Sequence, residues 1–155
     1  MPRPIGLVAL VLMLGTSLLA VAQAPEFLNS GKLLPADLPF SEAVRSGDTL
    51  YLSGQVGIKP GTMQLVSGGL EAEARQTLAN IELILSEHGY ALGDLVKCTV
   101  MLADMKQWGS FNAVYRDYLK PPYPARSAFG ASGLALGARV EMECIAVKSG
   151  SGAGD

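Results

Sequence analysis

The sequence predicts one domain that mixes strands and helices in the order strand, strand, helix, strand, helix, strand, strand. Three observations carry this expectation. Leu70, Ala74, Leu78, Ile81 and Leu85 recur at spacings of four, four, three and four, a single apolar stripe at helical period. Residues 95–102 alternate, with Val96, Cys98, Val100 and Leu102 on one face. Two late stretches read as strands, one opened by Arg126 after Tyr123-Pro124-Ala125 and one over residues 140–147. A chain of 155 residues is enough for one domain, and neither an internal repeat nor a linker divides it.

The N-terminus is set apart by composition. After Met1-Pro2-Arg3-Pro4, residues 5–22 are uncharged and mostly apolar, and small residues stand at Ala20, Ala22 and Ala24. A cationic start, an apolar middle and a small-residue exit form the secretory-signal pattern. Residues 1–24 are therefore expected to be a signal peptide and the protein to be exported, periplasmic or secreted. Cleavage after Ala24 fits Ala22-Gln23-Ala24, cleavage after Ala22 avoids a proline just past the cut, and an uncleaved anchor is the third alternative. With the signal removed, no stable membrane insertion is expected. Residues 25–37 are polar and proline-spaced and read as an exposed arm; the domain proper is expected over 38–148. Residues 149–155 form a small-residue tail expected to be disordered.

Charge excludes one class of partner. The net charge is −2, and without Arg3, the only charge before Pro25, it falls to −3. Nucleic-acid binders usually show a basic stripe, and this sequence has none. Cys98 and Cys144 both fall in apparent strands. Two buried thiols are the preferred reading, because free cysteine behaves as a small core residue; a disulfide is the alternative in an oxidising compartment. Two cysteines and one histidine make no credible metal cluster.

Taken in order, Leu38-Pro39-Phe40 leads into Ser41-Glu42-Ala43-Val44, with Phe40 read as an apolar anchor at the edge of the core. Gly47-Asp48 signals a turn into a strand over 49–58, in which Leu50, Leu52 and Gly54 share one face and Tyr51, Ser53 and Gln55 the other. Gly54 inside a strand suggests a bulge or a close approach. Lys59-Pro60-Gly61-Thr62 turns the chain back into a short strand from Leu65. A helix follows over 70–88, with Glu71 and Glu73 in its first turn, His88 in its last and Gly89 as its left-handed cap. His88 is accordingly read as a terminal surface residue. A second helix, over 106–119, carries Trp108, Phe111, Val114 or Tyr115, and Tyr118 as a core stripe and Asn112 beside them. It ends at Pro121-Pro122.

Two features of the late strands bear on chemistry. The prolines before Arg126 stiffen its backbone, and its planar fork suits bidentate carboxylate binding. Glu141 and Glu143 are two apart and share a strand face; alone, such a pair is a weak signal for acid–base work. A guanidinium and a carboxylate on two late strands are expected to form a small-molecule anion site. There is no Gly-x-Ser-x-Gly elbow and no phosphate loop.

Seven motifs in order resemble the RidA/YjgF family: Leu38-Pro39-Phe40-Ser41-Glu42-Ala43-Val44, Leu52-Ser53-Gly54-Gln55-Val56, the helix segment from Ala74 to Ile81, Asp94-Leu95-Val96-Lys97-Cys98-Thr99-Val100-Met101-Leu102, Asn112-Ala113-Val114-Tyr115, Pro124-Ala125-Arg126-Ser127, and Val140-Glu141-Met142-Glu143-Cys144. The resemblance covers nearly all of the domain. It implies a chorismate-mutase-like α+β fold, a mixed sheet with two helices on one face, assembled as a homotrimer with a ligand cleft at each interface. It also implies hydrolysis of reactive 2-imino or enamine carboxylic acids to 2-oxo acids and ammonia, with no cofactor. Arg126 would hold the substrate carboxylate and Glu141 would activate water. Ser53 and Gly54 would line the cleft, with Asn112 in a lesser structural or pocket role. The sequence departs from the family at Phe40, where the deaminase branch commonly has tyrosine, at Ala128, and over residues 129–137; these departures imply a wider or differently shaped cleft. The alternatives are a non-catalytic small-carboxylate binder or chaperone-like member, and a ribonuclease.

Overall fold

The computed structural model describes residues 23–148. The expected leader, apart from Gln23 and Ala24, and the expected tail over 149–155 lie outside the described residues. The elements are β1 (Glu26–Leu28), β2 (Ala43–Ser46), β3 (Thr49–Leu52), β4 (Gln55–Val56), α1 (Gly69–Glu87), β5 (Leu95–Leu102), α2 (Trp108–Tyr118), β6 (Ala125–Gly130) and β7 (Val140–Val147). They build one sheet in the order β1-β2-β3-β7-β5-β6, with β4 also paired to β7.

All pairings are antiparallel except β5 with β6. A parallel pair needs a crossover, and α2 supplies it. The longer crossover from β4 to β5 is α1, which packs on β4, β7 and α2. Both helices thus cover one face of a mixed sheet, and the other face is open.

The apolar stripe of α1 is buried as its spacing predicts. Each of Leu78, Ile81 and Leu85 contributes about 2 kcal/mol through that burial. The helix ends in a Schellman motif: Tyr90 N donates to Leu85 O at 2.7 Å, Gly89 N donates to Ser86 O at 3.2 Å, and Gly89 takes φ 81°.

Several expectations are corrected. The exposed arm instead contributes β1 to the sheet edge, and Leu33 is fully buried. Residues 43–46, read as a lead-in, form a hairpin with β3 around Gly47 at φ 57°. The return strand from Leu65 shrinks to one bridge, Ile58 to Leu65. Gly54 interrupts the strand over 49–58, and the interruption changes the parity, so Gln55 is buried beside Val56. A register shift between Leu95 and Lys97 likewise buries Leu95 and turns Val96 outward.

His88 is not a surface residue. Its Nε2 lies 2.7 Å from Glu42 Oε1, and the Glu42 carboxylate also accepts from Ser30 N at 2.7 Å and Ser30 Oγ at 3.0 Å. Glu42 thereby ties the segment at Ser30 to the end of α1. Glu73 is also buried, accepting from Arg139 N at 2.7 Å, which leaves Glu71 as the acid in the first turn of α1.

Cys98 and Cys144 are directly opposed on β5 and β7 and form a disulfide, with Cα atoms 4.1 Å apart. The preferred reading of two free thiols is corrected. Their spacing in sequence carries no information on strand neighbours, and the register that opposes them comes only from the sheet.

Candidate functional site

Arg126 sits on β6 in register with Cys98 of β5. Cys98 is on the helix-covered face, so Arg126 points toward α2. There its guanidinium carbon lies 4.6 Å from the Trp108 ring centroid, 4.5 Å from that of Tyr115 and 5.9 Å from that of Phe111. Nη2 donates to Asn112 Oδ1 at 2.8 Å. Cation–π contact and one hydrogen bond hold the fork while leaving other N–H donors free. Among the described residues no carboxylate forms an ion pair with it. A cavity of about 360 Å³ opens beside it, lined by Asn112, Tyr115, Arg116, Tyr123 and Pro124. The Tyr115 hydroxyl is buried without a partner, and burial pushes its pKa up against the opposing pull of Arg126.

The spacing of the aromatic stripe of α2 predicts core. Phe111 and Tyr115 are indeed buried, but Trp108 and Tyr115 also form the platform for the guanidinium. Helical spacing is the same for both uses, so no signal in the sequence separates them.

Glu141 belongs to a second cavity. It pairs with Met101 of β5 and Val56 of β4, and by alternation it leaves the open face of the sheet. A Cβ on Gly54 would collide with Glu141 Oε1, so the glycine is what lets the carboxylate lie against the backbone. Glycine at position 57 serves packing instead: a Cβ there would stand 2.7 Å from Glu73 Cα, so it lets β4 run close to α1. Asn80, fully buried on α1, completes that contact by donating to Val56 O and Ile58 O, each at 2.9 Å. Burial pushes the Glu141 carboxyl above its ordinary pKa, and the charge of Glu143 adds to the effect.

The remaining expected site residues are distributed around these two cavities. Phe40 is half-exposed and lines the Glu141 cavity, which encloses about 170 Å³; it is a cavity wall and not a core plug. Ser53 lines a neighbouring hollow with Phe40 and Ser41, and its hydroxyl donates to Ser41 O at 2.6 Å. Ala128 lies two residues beyond Arg126 on the same side of β6, half-buried against the core. Arg126 with Asn112 forms one group, and Glu141 with Gly54 and Phe40 another. The two groups leave opposite faces of the sheet, so the anion site expected from a facing guanidinium and carboxylate is not assembled within one chain.

A mixed sheet with two helices on one face thus carries a preorganised arginine and, separately, a half-buried carboxylate. The comparisons agree. The model of the family described as Endoribonuclease L-PSP matches residues 31–148. The chain is 46% identical over 110 residues to the mouse 2-iminobutanoate/2-iminopropanoate deaminase, covering 71% of this chain and 82% of the mouse protein. It is 42% identical to the human protein of the same name, covering 71% and 80%. Among solved structures, RidA from the Antarctic bacterium Psychrobacter sp. superposes with a TM-score of 0.75 at 37% identity, over 79% of this chain and 99% of that one. The E. coli TdcF structure with bound serine superposes with a TM-score of 0.73 at 28% identity, over 80% and 99%. This chain belongs to the Endoribonuclease L-PSP family, the family of RidA.

Proposed function

We propose that this chain hydrolyses 2-imino and enamine carboxylic acids to 2-oxo acids and ammonia, at a site that takes Arg126 from one subunit and Glu141 from a neighbour. It is a deaminase-like hydrolase, a reading supported by relatives of that name at 42–46% identity. The single observation that carries the residue roles is the Arg126 fork, held on Trp108 and Tyr115 with donors unspent. The serine bound in the TdcF structure has a carboxylate of the kind such a fork recognises.

In this reading Arg126 binds the substrate carboxylate bidentately and so orients the imine carbon. Glu141 takes a proton as water adds to that carbon. That proton passes to nitrogen to give the carbinolamine; its hydroxyl then gives up the second water proton, which reaches nitrogen as the C–N bond breaks, so that ammonia leaves and the 2-oxo acid remains. The chemistry needs water and a proton carrier and nothing else. A homotrimer, expected from the resemblance, supplies the neighbour whose open sheet face meets the Arg126 cleft. Export, expected from the leader, would draw the imine from an amino-acid oxidase or dehydrogenase in the envelope.

The test is an assay in which an amino-acid oxidase generates 2-iminopropanoate and its loss is followed with wild type and Arg126→Ala. Wild type accelerates the loss; removing the carboxylate clamp lowers kcat/KM by about 100-fold. Unchanged imine decay with wild type across several amino acids would sink the proposal. A second reading, a non-catalytic carboxylate binder, is favoured by Phe40, which lacks the hydroxyl that a tyrosine would offer; it predicts carboxylate binding abolished by Arg126→Ala with no turnover in either protein. Ribonuclease action, which the family description names, is disfavoured by the net negative charge and by the engagement of His88 with Glu42.

A further inference from the structure

Resting on that hydrolase reading, we infer that the apolar cavity beside Glu141 is the side-chain pocket, and that the preferred substrates are 2-imino acids with branched or thioether side chains, such as those derived from leucine and methionine. The imine carbon has three substituents: the carboxylate carbon, the nitrogen and the side chain. With the carboxylate on Arg126 and the carbon within one water of Glu141, the side chain must start next to Glu141. The cavity that starts there is walled by Leu34, Leu38, Phe40, Val56, Met63 and Leu136. Its only polar lining group besides Glu141 is Gln55, whose Nε2 is committed to Ser53 O at 3.0 Å.

Size and exposure point the same way. At about 30 Å³ per water-sized group, a volume of about 170 Å³ holds five or six such groups. An isobutyl or methylthioethyl chain has four, whereas the methyl of 2-iminopropanoate leaves most of the space empty. Phe40, Met63 and Leu136 are large, apolar and 46–50% exposed, and they converge from three separate segments on this one cavity. Leu136 does so at φ 60°, a left-handed conformation that costs a leucine about 1–2 kcal/mol. That strain is retained at a cavity wall, as at ligand sites generally. An acidic side chain would place a second negative charge in this apolar space beside Glu141 and is excluded.

The experiment measures kcat/KM of the intact oligomer on imines generated from alanine, leucine and methionine, for wild type, Leu136→Asn and Met63→Gln. Asparagine accepts positive φ, so the first variant keeps the backbone; the second guards against a folding failure of the first. Wild type is expected to favour the leucine and methionine imines by about tenfold, and each variant to lose about tenfold more on them than on the alanine imine. Preference for the alanine imine, or an equal loss on all three, overturns the pocket while leaving the hydrolase reading intact. No turnover of any imine by wild type overturns the hydrolase reading instead. Titration with pyruvate and with 4-methyl-2-oxopentanoate then reads the pocket alone, and equal affinities overturn it. A variant that changes the mass of the oligomer assigns the cavity to a neighbouring subunit and likewise overturns the proposal.

Discussion

Gly54 and Glu141 form a pair in which one residue exists for the other. The carboxylate oxygen occupies the place of the missing Cβ, so Gly54→Ala displaces it without disturbing a residue that needs positive φ. We expect kcat/KM to fall by at least about 100-fold, the scale of a misplaced catalytic group, with the melting temperature within a few degrees of wild type. The proposed role of Glu141 also predicts a pH dependence. In the proposed role of base it would work ionised, so activity is expected to be lost as pH falls through its pKa, which burial and Glu143 together hold above the usual carboxylate range. Glu143→Gln removes the second cause, and the acid limb of the kcat/KM profile should move to lower pH. The linkage runs the other way for stability: a carboxyl raised in the folded state withdraws stability as pH rises from its unfolded pKa through its folded one. Glu141→Gln should therefore melt above wild type at neutral pH while losing activity, which differential calorimetry and the imine assay read separately.

At the level of elements, β7 carries most of the organisation. It pairs with β3, β4 and β5, holds Glu141 on its open face and joins β5 through Cys98–Cys144 on its covered face. The covalent link closes a sequence separation of 46 residues, for which chain entropy allows about 4 kcal/mol of stabilisation. Because the two strands pair anyway, part of that is redundant. We expect Cys98→Ala with Cys144→Ala to lower unfolding free energy by about 2–4 kcal/mol, seen as a lower denaturant midpoint, and reductant to leave the midpoint of the variant unmoved. The crosslink is on the level of Arg126 in the β5–β6 register, so it also stiffens the floor of the arginine cleft.

The whole molecule has Arg126 and Glu141, the two groups of the proposed site, on opposite faces of one sheet. Subunits arranged head to tail around a threefold axis would bring the arginine face of one to the carboxylate face of the next. Mixing Arg126→Ala with Glu141→Gln under conditions that exchange subunits then regenerates wild-type pairs at about one quarter of the interfaces. Activity should return to roughly that fraction of wild type. If both groups served one chain's own site, the mixture would stay as inactive as its parts.

Much of this was legible in the sequence. The stripe of α1, its glycine cap and the alternation of β7 follow from local periods of 3.6 and 2, which depend only on backbone geometry. Motif order singles out Arg126, Asn112, Gly54 and Glu141 as the residues that the resemblance implies for a site. Three things were illegible for a common reason. The shift at Leu95, the break at Gly54 and the opposition of Cys98 with Cys144 each depend on a partner strand, and a period carries no record of its neighbours. The contact of His88 with Glu42 and that of Trp108 with Arg126 escape the sequence for the same reason, since a helix end and an aromatic stripe look alike whether they face solvent, core or a charge from a distant segment.

The sequence by itself determined which residues alternate, where helices begin and end, and which side chains have the chemistry to bind a carboxylate and move a proton. Only the tertiary structure decided that the arginine and the glutamate leave opposite faces, that the cysteines meet, and that an apolar cavity adjoins Glu141. Side-chain parity is a property of one strand, but faces, registers and cavities arise when several strands pack, and those pairings are set by burial summed over the whole domain.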